Sequence, residues 1–280
     1  MFSKGDGADI GHIHSHGLLL DTDYSFTDKL ALTIGLPYIA GKYTGEGGHQ
    51  LPIDDGTYHA TFQDFRIGLR YNVSKRPMAI TPFFEAVLPS HSYEYFAHSA
   101  IGRDLREYHA GMNFGRRLDP VLPKAYFQAR YSYAFVQAVH GLSADDLLRF
   151  TILNLPANQP ADALSANRSD TDFQLGYFVT PRFSLLGLGS WMHTHDGIYF
   201  SYPGFRNPLT TGQFQHHDQI GRATLLDVGG GAALSLSRSL QIFGSVLHSL
   251  RGTNGHLHAA VVTVGLTRSF RTRLAGETGP

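Results

Sequence analysis

The chain has 280 residues with 23 Lys and Arg against 23 Asp and Glu, so its formal net charge is zero, whereas a nucleic-acid binder should be visibly basic. It contains no cysteine, which excludes a disulfide framework and thiolate chemistry. Charged residues are 16% while Gly (31), Tyr (14) and Phe (19) are plentiful, and no run approaches the ~18 consecutive apolar residues of a membrane helix.

In chain order, residues 11–26 open with a strand on which Leu18, Leu20 and Tyr24 alternate. After a turn at Thr27-Asp28-Lys29, residues 29–43 put Leu30, Leu32, Ile34, Leu36 and Tyr38 on one face and Ala31, Thr33, Gly35 and Pro37 on the other. A polar connection rich in Gly and Asp covers 44–56, which is loop chemistry. The clearest pattern follows within 61–88. Phe65, Ile67, Leu69, Tyr71 and Val73 alternate with Asp64, Arg66, Gly68, Arg70 and Asn72, and after Ser74-Lys75-Arg76-Pro77 the alternation resumes with Met78, Ile80, Pro82, Phe84, Ala86 and Leu88. A period of two with one greasy and one polar face predicts a β-hairpin.

The rest of the chain repeats this unit. A long connection at 90–103 leads to a strand at 104–117, where Tyr108, Ala110, Met112 and Phe114 oppose Glu107, His109, Gly111 and Asn113. A turn at 118–123 leads to a strand at 124–137 carrying Phe127, Ala129, Tyr131, Tyr133 and Phe135. In the longest connection, 138–169, Ser143 ahead of Asp145 and Asp146 predicts a capped short helix. Strands are then expected at 170–179, 183–193 (with a blurred pattern), 226–236, 240–250 and 256–270, followed by a polar tail at 271–280. Gly229-Gly230-Gly231 sits inside a strand pattern, where it marks a bulge or close packing rather than a phosphate loop.

Connections alternate short and long to the end. Each of the eleven strands is near the ~9–11 residues that a tilted strand needs to cross a bilayer, and short turns at one rim with long loops at the other is the layout of an outer-membrane barrel. The apolar face nearly lacks charge; Arg116 and Arg268 are the exceptions, and both fall near strand ends where long side chains reach water. The expected fold is therefore an all-β, antiparallel up-and-down transmembrane barrel of about 12 strands, one domain over 1–270 with a polar tail, in the outer membrane of a Gram-negative-type cell. Such barrels use even strand numbers, and no signal sequence is visible at Met1. A leading strand and a signal peptide are therefore expected upstream of the given start.

The stretch Tyr24-Ser25-Phe26-Thr27-Asp28-Lys29-Leu30-Ala31-Leu32, continuing to Gly35-Leu36-Pro37-Tyr38, resembles the opening of the "MetA-pathway of phenol degradation" outer-membrane family. The likeness extends loosely from Leu18 to Phe270, and Val262, Val264, Leu266 and Phe270 look like the closing strand signal of outer-membrane proteins, although ten residues follow Phe270 and Arg268 stands where an aromatic is usual. The resemblance implies passage of small hydrophobic or aromatic solutes and supplies no catalytic residues.

By alternation, Asp64, Arg66, Arg70, Glu85, Glu107, His109, Arg130, Asp172 and Asp227 are the candidate lumen-facing, solute-contacting residues. They form either a selective constriction or, because opposite charges alternate along the same strands, an ion-pair network filling a narrow barrel. Histidine is the commonest metal ligand, and His12, His14, His16, His193, His195, His216 and His217 cluster toward the long-loop rim, giving a metal-binding alternative. No H-E-x-x-H or Cys/His ligand set supports it, and solvated rim histidines are the plainer reading. No G-x-S-x-G is present, so no enzyme activity and no cofactor are expected. The expected partners are outer-membrane lipid, small solutes and the barrel-assembly machinery, with no nucleic acid. The alternative function is a non-conducting structural or binding barrel whose His-rich rim contacts metal ions or partners.

Overall fold

The period-two segments become strands close to where alternation predicts them. The computed structural model describes residues 11–45, 54–95, 98–140, 163–197 and 217–270. In chain order it contains β1 (His12–Ser25), β2 (Leu30–Thr44), β3 (His59–Phe62), β4 (Asp64–Tyr71), β5 (Ala79–Pro89), β6 (Glu107–Arg117), β7 (Ala125–Val136), β8 (Val139–His140), β9 (Ala163–Leu164), β10 (Arg168–Phe178), β11 (Phe183–Thr194), a short helix α1 (His217–Ile220), β12 (Thr224–Ser235), β13 (Leu240–Thr253) and β14 (Val261–Arg268). The helix expected around Ser143 and the tail from Arg271 lie outside the described residues.

One antiparallel sheet runs β1-β2-β4-β5-β6-β7-β10-β11-β12-β13-β14 and curls into a half-barrel. Among the described residues β1 and β14 form its two ends. Eleven alternating directions make these two end strands parallel to each other, so they do not complete the antiparallel ladder directly. At one rim, short turns are closed locally: Phe26 N–H donates to Leu30 O at 2.9 Å, and Thr27 Oγ1 accepts from Leu30 N–H at 3.0 Å. The other rim carries every long connection.

Three departures from the sequence reading have local causes. The strand pattern expected from Thr61 is split into β3, ending at Phe62, and β4, starting at Asp64, because β2 outruns β4: β2 pairs with β4 from Leu30 to Gly35 and with β3 from Tyr38 to Gly41. β6 starts at Glu107 rather than at 104, since Asp104 adopts a positive φ of 51° that no strand accommodates. β14 starts at Val261 rather than at 256, after Asn254 takes a φ of 52° and His258 N–H donates to Ser249 Oγ at 2.8 Å.

The two faces differ as the alternation requires. On β6, Glu107 and His109 are 5% and 6% exposed while Tyr108 between them is 43% exposed, which places the acids and bases inside and the aromatics outside. The outer face is a continuous apolar belt that includes Leu18, Ile67, Leu69, Phe84, Phe173, Leu175, Leu185, Val246 and Val264, all exposed. Apolar exposure on this scale needs an apolar surrounding. Tyr24 and Phe26, in edge contact at 5.0 Å, mark the turn rim of this belt. No described helix is long and apolar enough to cross a membrane.

Candidate functional site: the inner face of the barrel

The inner face is built by every second residue of each strand, and cross-strand register decides which of them meet. Between β1 and β4, ion pairs reach across β2: Arg66 Nη2 donates to Asp21 Oδ1 at 2.6 Å, and Arg70 Nη1 donates to Asp23 Oδ1 at 2.7 Å. Thr33 joins the second pair, donating to Asp23 at 2.5 Å and accepting from Arg70 at 3.0 Å. Gly35 makes the first crossing possible, since a Cβ there would lie 2.7 Å from Asp21 Oδ1 and 2.8 Å from Arg66 Nε. Further round, Arg130 Nη2 donates to Glu85 Oε1 at 3.2 Å with its guanidinium 3.9 Å over the Phe83 ring, and Asp172 accepts from Ser190 Oγ at 2.7 Å.

The densest knot lies toward the long-loop rim. Glu107 accepts from Arg168 twice, at 2.9 and 2.6 Å, from Arg103, and from His109 Nε2 at 3.0 Å when that nitrogen carries the proton. Arg168 also pairs with Asp170 at 3.2 Å. One buried carboxylate thus collects donors from β6, from β10 and from the connection preceding β6. A bidentate guanidinium contact of this kind is among the strongest polar contacts available.

The described parts of that preceding connection, 90–95 and 98–106, fold against the inner face. Tyr93 donates its hydroxyl proton to Asp64 and accepts from Asp104 N–H at 3.0 Å. Burial, and then the Asp64 carboxylate, hold the Tyr93 phenol far above its ordinary range, so it stays a donor. Burial also pushes the Asp104 carboxyl upward. Asp54 accepts from Ser99 N–H at 2.9 Å, Ser99 Oγ at 2.8 Å and His98 N–H at 3.2 Å. The Ser99 carbonyl lies where a Cβ on Gly41 of β2 would approach within 2.8 Å, and Gln219 of α1 donates to Arg103 O at 2.6 Å. Two long connections therefore meet inside the loop rim.

The remaining inner face is different in kind. Leu186, Leu188 and Met192 of β11, Leu225 of β12, and Phe243 and Leu247 of β13 alternate onto it, all half-buried. The blurred pattern of β11 thus reflects leucines on both of its faces. Gly229 and Gly231 thin the wall here: a Cβ would meet Val246 O at 1.9 Å at the first and Gly244 O at 2.4 Å at the second. The inner strand positions of β11 to β14 carry one charge, Asp227, which accepts from Ser249 Oγ at 2.5 Å and contacts His258 Nδ1 at 2.8 Å.

The nine sequence-selected residues all alternate onto this inner face. The structure brings Glu107 and His109 together, and likewise Glu85 and Arg130; it gives Arg66, Arg70, Asp64, Asp172 and Asp227 partners from outside that set. The partners missed were Asp21, Asp23, Tyr93, Arg103, Arg168, Ser190 and Ser249, with Asp170 joined through Arg168. Asp21 and Asp23 were legible, since they alternate with Leu20 and Tyr24. Arg168 fell before the expected strand start, and Arg103 and Tyr93 lie in a connection where periodicity carries no signal.

The histidines do not converge. His12, His14 and His16 turn outward on β1, whereas His193 and His195 lie at the far end of β11, where His193 stacks on Trp191 at 5.8 Å and His195 on Tyr133 at 5.4 Å. His216 lies outside the described residues and His217 opens α1. Among the described residues no group of three or more His, Asp or Glu is arranged to hold a metal ion.

Solved structures share this architecture. An outer membrane channel from Pseudomonas putida F1 superposes with a TM-score of 0.67 over 96% of this chain and 89% of that one, at 12% identity. The fold is that of an outer-membrane channel barrel. The NanC porin matches with a TM-score of 0.52 over 93% of this chain and 98% of its own, at 8% identity. No protein-family profile matches the chain, and no curated protein matches it either. The likeness therefore stands at the level of fold, and membership of the MetA-pathway family is not established by it.

Proposed function

We propose that this protein is an outer-membrane channel for small hydrophobic or aromatic solutes, inserted in outer-membrane lipid by the barrel-assembly machinery of a Gram-negative-type cell. The observation that carries the proposal is the division of the inner face. Each of the charged residues selected by alternation already has an internal partner. The apolar arc of Leu186, Leu188, Met192, Phe243 and Leu247 faces the interior, and among the described residues no further strand or helix packs over it as a second layer. Small apolar solutes gain by leaving water for such a surface, at roughly 25 cal/mol per Å² buried. The passage is non-enzymatic in this reading, and it matches what the MetA-pathway resemblance implies.

The inward fold of residues 90–95 and 98–106 favours a second reading, a filled barrel that does not conduct. His98 and Ser99 are buried within it, and its ties to Asp64, Glu107 and Asp54 hold it against the wall. Planar-bilayer recording of the refolded protein separates the two. Discrete conductance steps support the channel, and a protein that inserts but remains electrically silent and solute-tight supports the filled barrel.

A further inference from the structure

The outer face of β1 changes character abruptly along its length. His12, His14 and His16 alternate outward at the long-loop end, and the same row continues as Leu18 and Leu20, which are 72% and 58% exposed. Lys42, in register opposite His14, shares this outward face. Its Nζ sits 5.0 Å over the ring of Tyr58, whose hydroxyl lies 3.0 Å from His16 Nε2. Tyr58 thus gathers an ammonium and an imidazole onto one small area.

The signs there are uniform. Among the described residues the outward positions of β1, β2 and β3 carry no carboxylate. Asp21 and Asp23 turn to the inner face and are neutralised there by Arg66 and Arg70. Asp55, in the turn before β3, is held by Thr57 and His59. A comparable groove on the same rim, lined by His91, Arg106 and Tyr108, contains Asp104 and so has mixed charge.

We propose that the outward patch of His12, His14, His16 and Lys42 docks phosphate-bearing lipid head groups of the leaflet at the long-loop rim. The inference rests on the membrane-spanning reading. Given that reading, the step from His16 to Leu18 marks the level at which head groups meet acyl chains. A cation there faces lipid phosphate, and each near-surface cation contributes about a five-fold preference for anionic lipid. Imidazole changes its charge between about pH 5 and 8, while Lys42 supplies a fixed charge. Docking therefore strengthens on acidification.

The test uses the full chain reconstituted in phosphatidylcholine vesicles with trace spin-labelled lipid, compared with a His12→Gln, His14→Gln, His16→Gln, Lys42→Gln variant. Phosphatidylglycerol is the probe, because its single charge is constant across the range. Electron paramagnetic resonance reads the motionally restricted fraction at about pH 5.5 and about pH 8, on either side of the imidazole range. The expected result is restricted phosphatidylglycerol exceeding phosphatidylcholine by roughly three- to ten-fold at the lower pH, less at the higher, and near parity in the variant. Added inorganic phosphate at matched ionic strength should leave that preference in place. Equal restriction of the two lipids in the wild type, or a preference that survives the four substitutions, overturns the proposal. A spectrum with no restricted lipid of either kind overturns the membrane-spanning reading and this inference with it.

Discussion

The two halves of the inner wall obey different rules. From β1 to β10 it is crowded with charge: Asp21, Asp23 and Glu85 have a guanidinium each from another strand, and Glu107 and Asp170 share Arg168. From β11 to β14 it carries a single carboxylate, Asp227, and mixes Leu186, Leu188, Met192, Leu225, Phe243 and Leu247 with glycines and with uncharged polar residues such as Ser190, Ser245, Ser249 and Thr263. The charged half is conspicuous in the sequence yet is satisfied internally, so its chemistry is largely spent on itself. The nearly uncharged half draws no attention in the sequence, yet its apolar arc is only half-buried among the described residues. Charge at a wall is thus weak evidence of a solute site until its partners are counted.

The comparison breaks most visibly at the Glu107 knot. Glu107→Gln removes the buried counter-charge of Arg103 and leaves Arg168 with Asp170 alone, and losing one member of such a group costs about 3–5 kcal/mol. The expected outcome is a large drop in the urea midpoint of the refolded barrel, with heat-modifiable gel migration lost at lower temperature. Stability unchanged within error would mean that the knot is solvated rather than buried.

In the other half the sensitive element is backbone proximity. Gly229→Ala places a Cβ where Val246 O lies 1.9 Å away, and overpacking of this kind costs about 1–3 kcal/mol. A reduced folding yield is expected, with no change in any charge-dependent property. Normal yield and stability would show that β12 and β13 separate easily.

A smaller effect is expected where the charged half is wet. Arg66 and Asp21 have side chains 38% and 52% exposed, and surface pairs contribute about 0–1 kcal/mol. Arg66→Ala should therefore shift the urea midpoint far less than Glu107→Gln, and equal shifts would erase the distinction between the knot and the ladder. The smallest effect lies outside both halves. Thr57 N–H and hydroxyl, with His59, hold the Asp55 carboxyl down from 3.8 to about 2. A depressed acid stabilises its turn above the unfolded value, and that stabilisation is lost as pH falls from 3.8 through about 2. The protection factor of the Thr57 amide, taken against its intrinsic exchange rate at each pH, should fall in that window and nowhere above it.

Much of this was legible in the sequence, and the missing parts have a pattern. Alternation located the eleven path strands and assigned Glu107, His109 and Arg130 to one face, because period two is a direct consequence of strand geometry. It could not show that Glu107 collects Arg103 and Arg168, since those contacts are set by register across strands and by a connection without periodicity. It passed over the apolar arc, because leucines on both faces of β11 erase the alternation that marks a strand's inside. It also placed His12, His14 and His16 together correctly while leaving open a convergence with His193 and His195 that the strand order does not bring about.

The central claim is that small apolar solutes pass along the β11–β13 arc. Its most direct measurement is flux into proteoliposomes of a small neutral aromatic compound against a sugar of similar size, for the wild type and for Leu188→Asp. The account predicts faster aromatic flux in the wild type and a drop of roughly ten-fold or more in the variant, since an unpaired carboxylate replaces an apolar contact in the path. Sugar flux should change little. Equal fluxes for the two solutes, or aromatic flux untouched by Leu188→Asp, would contradict it.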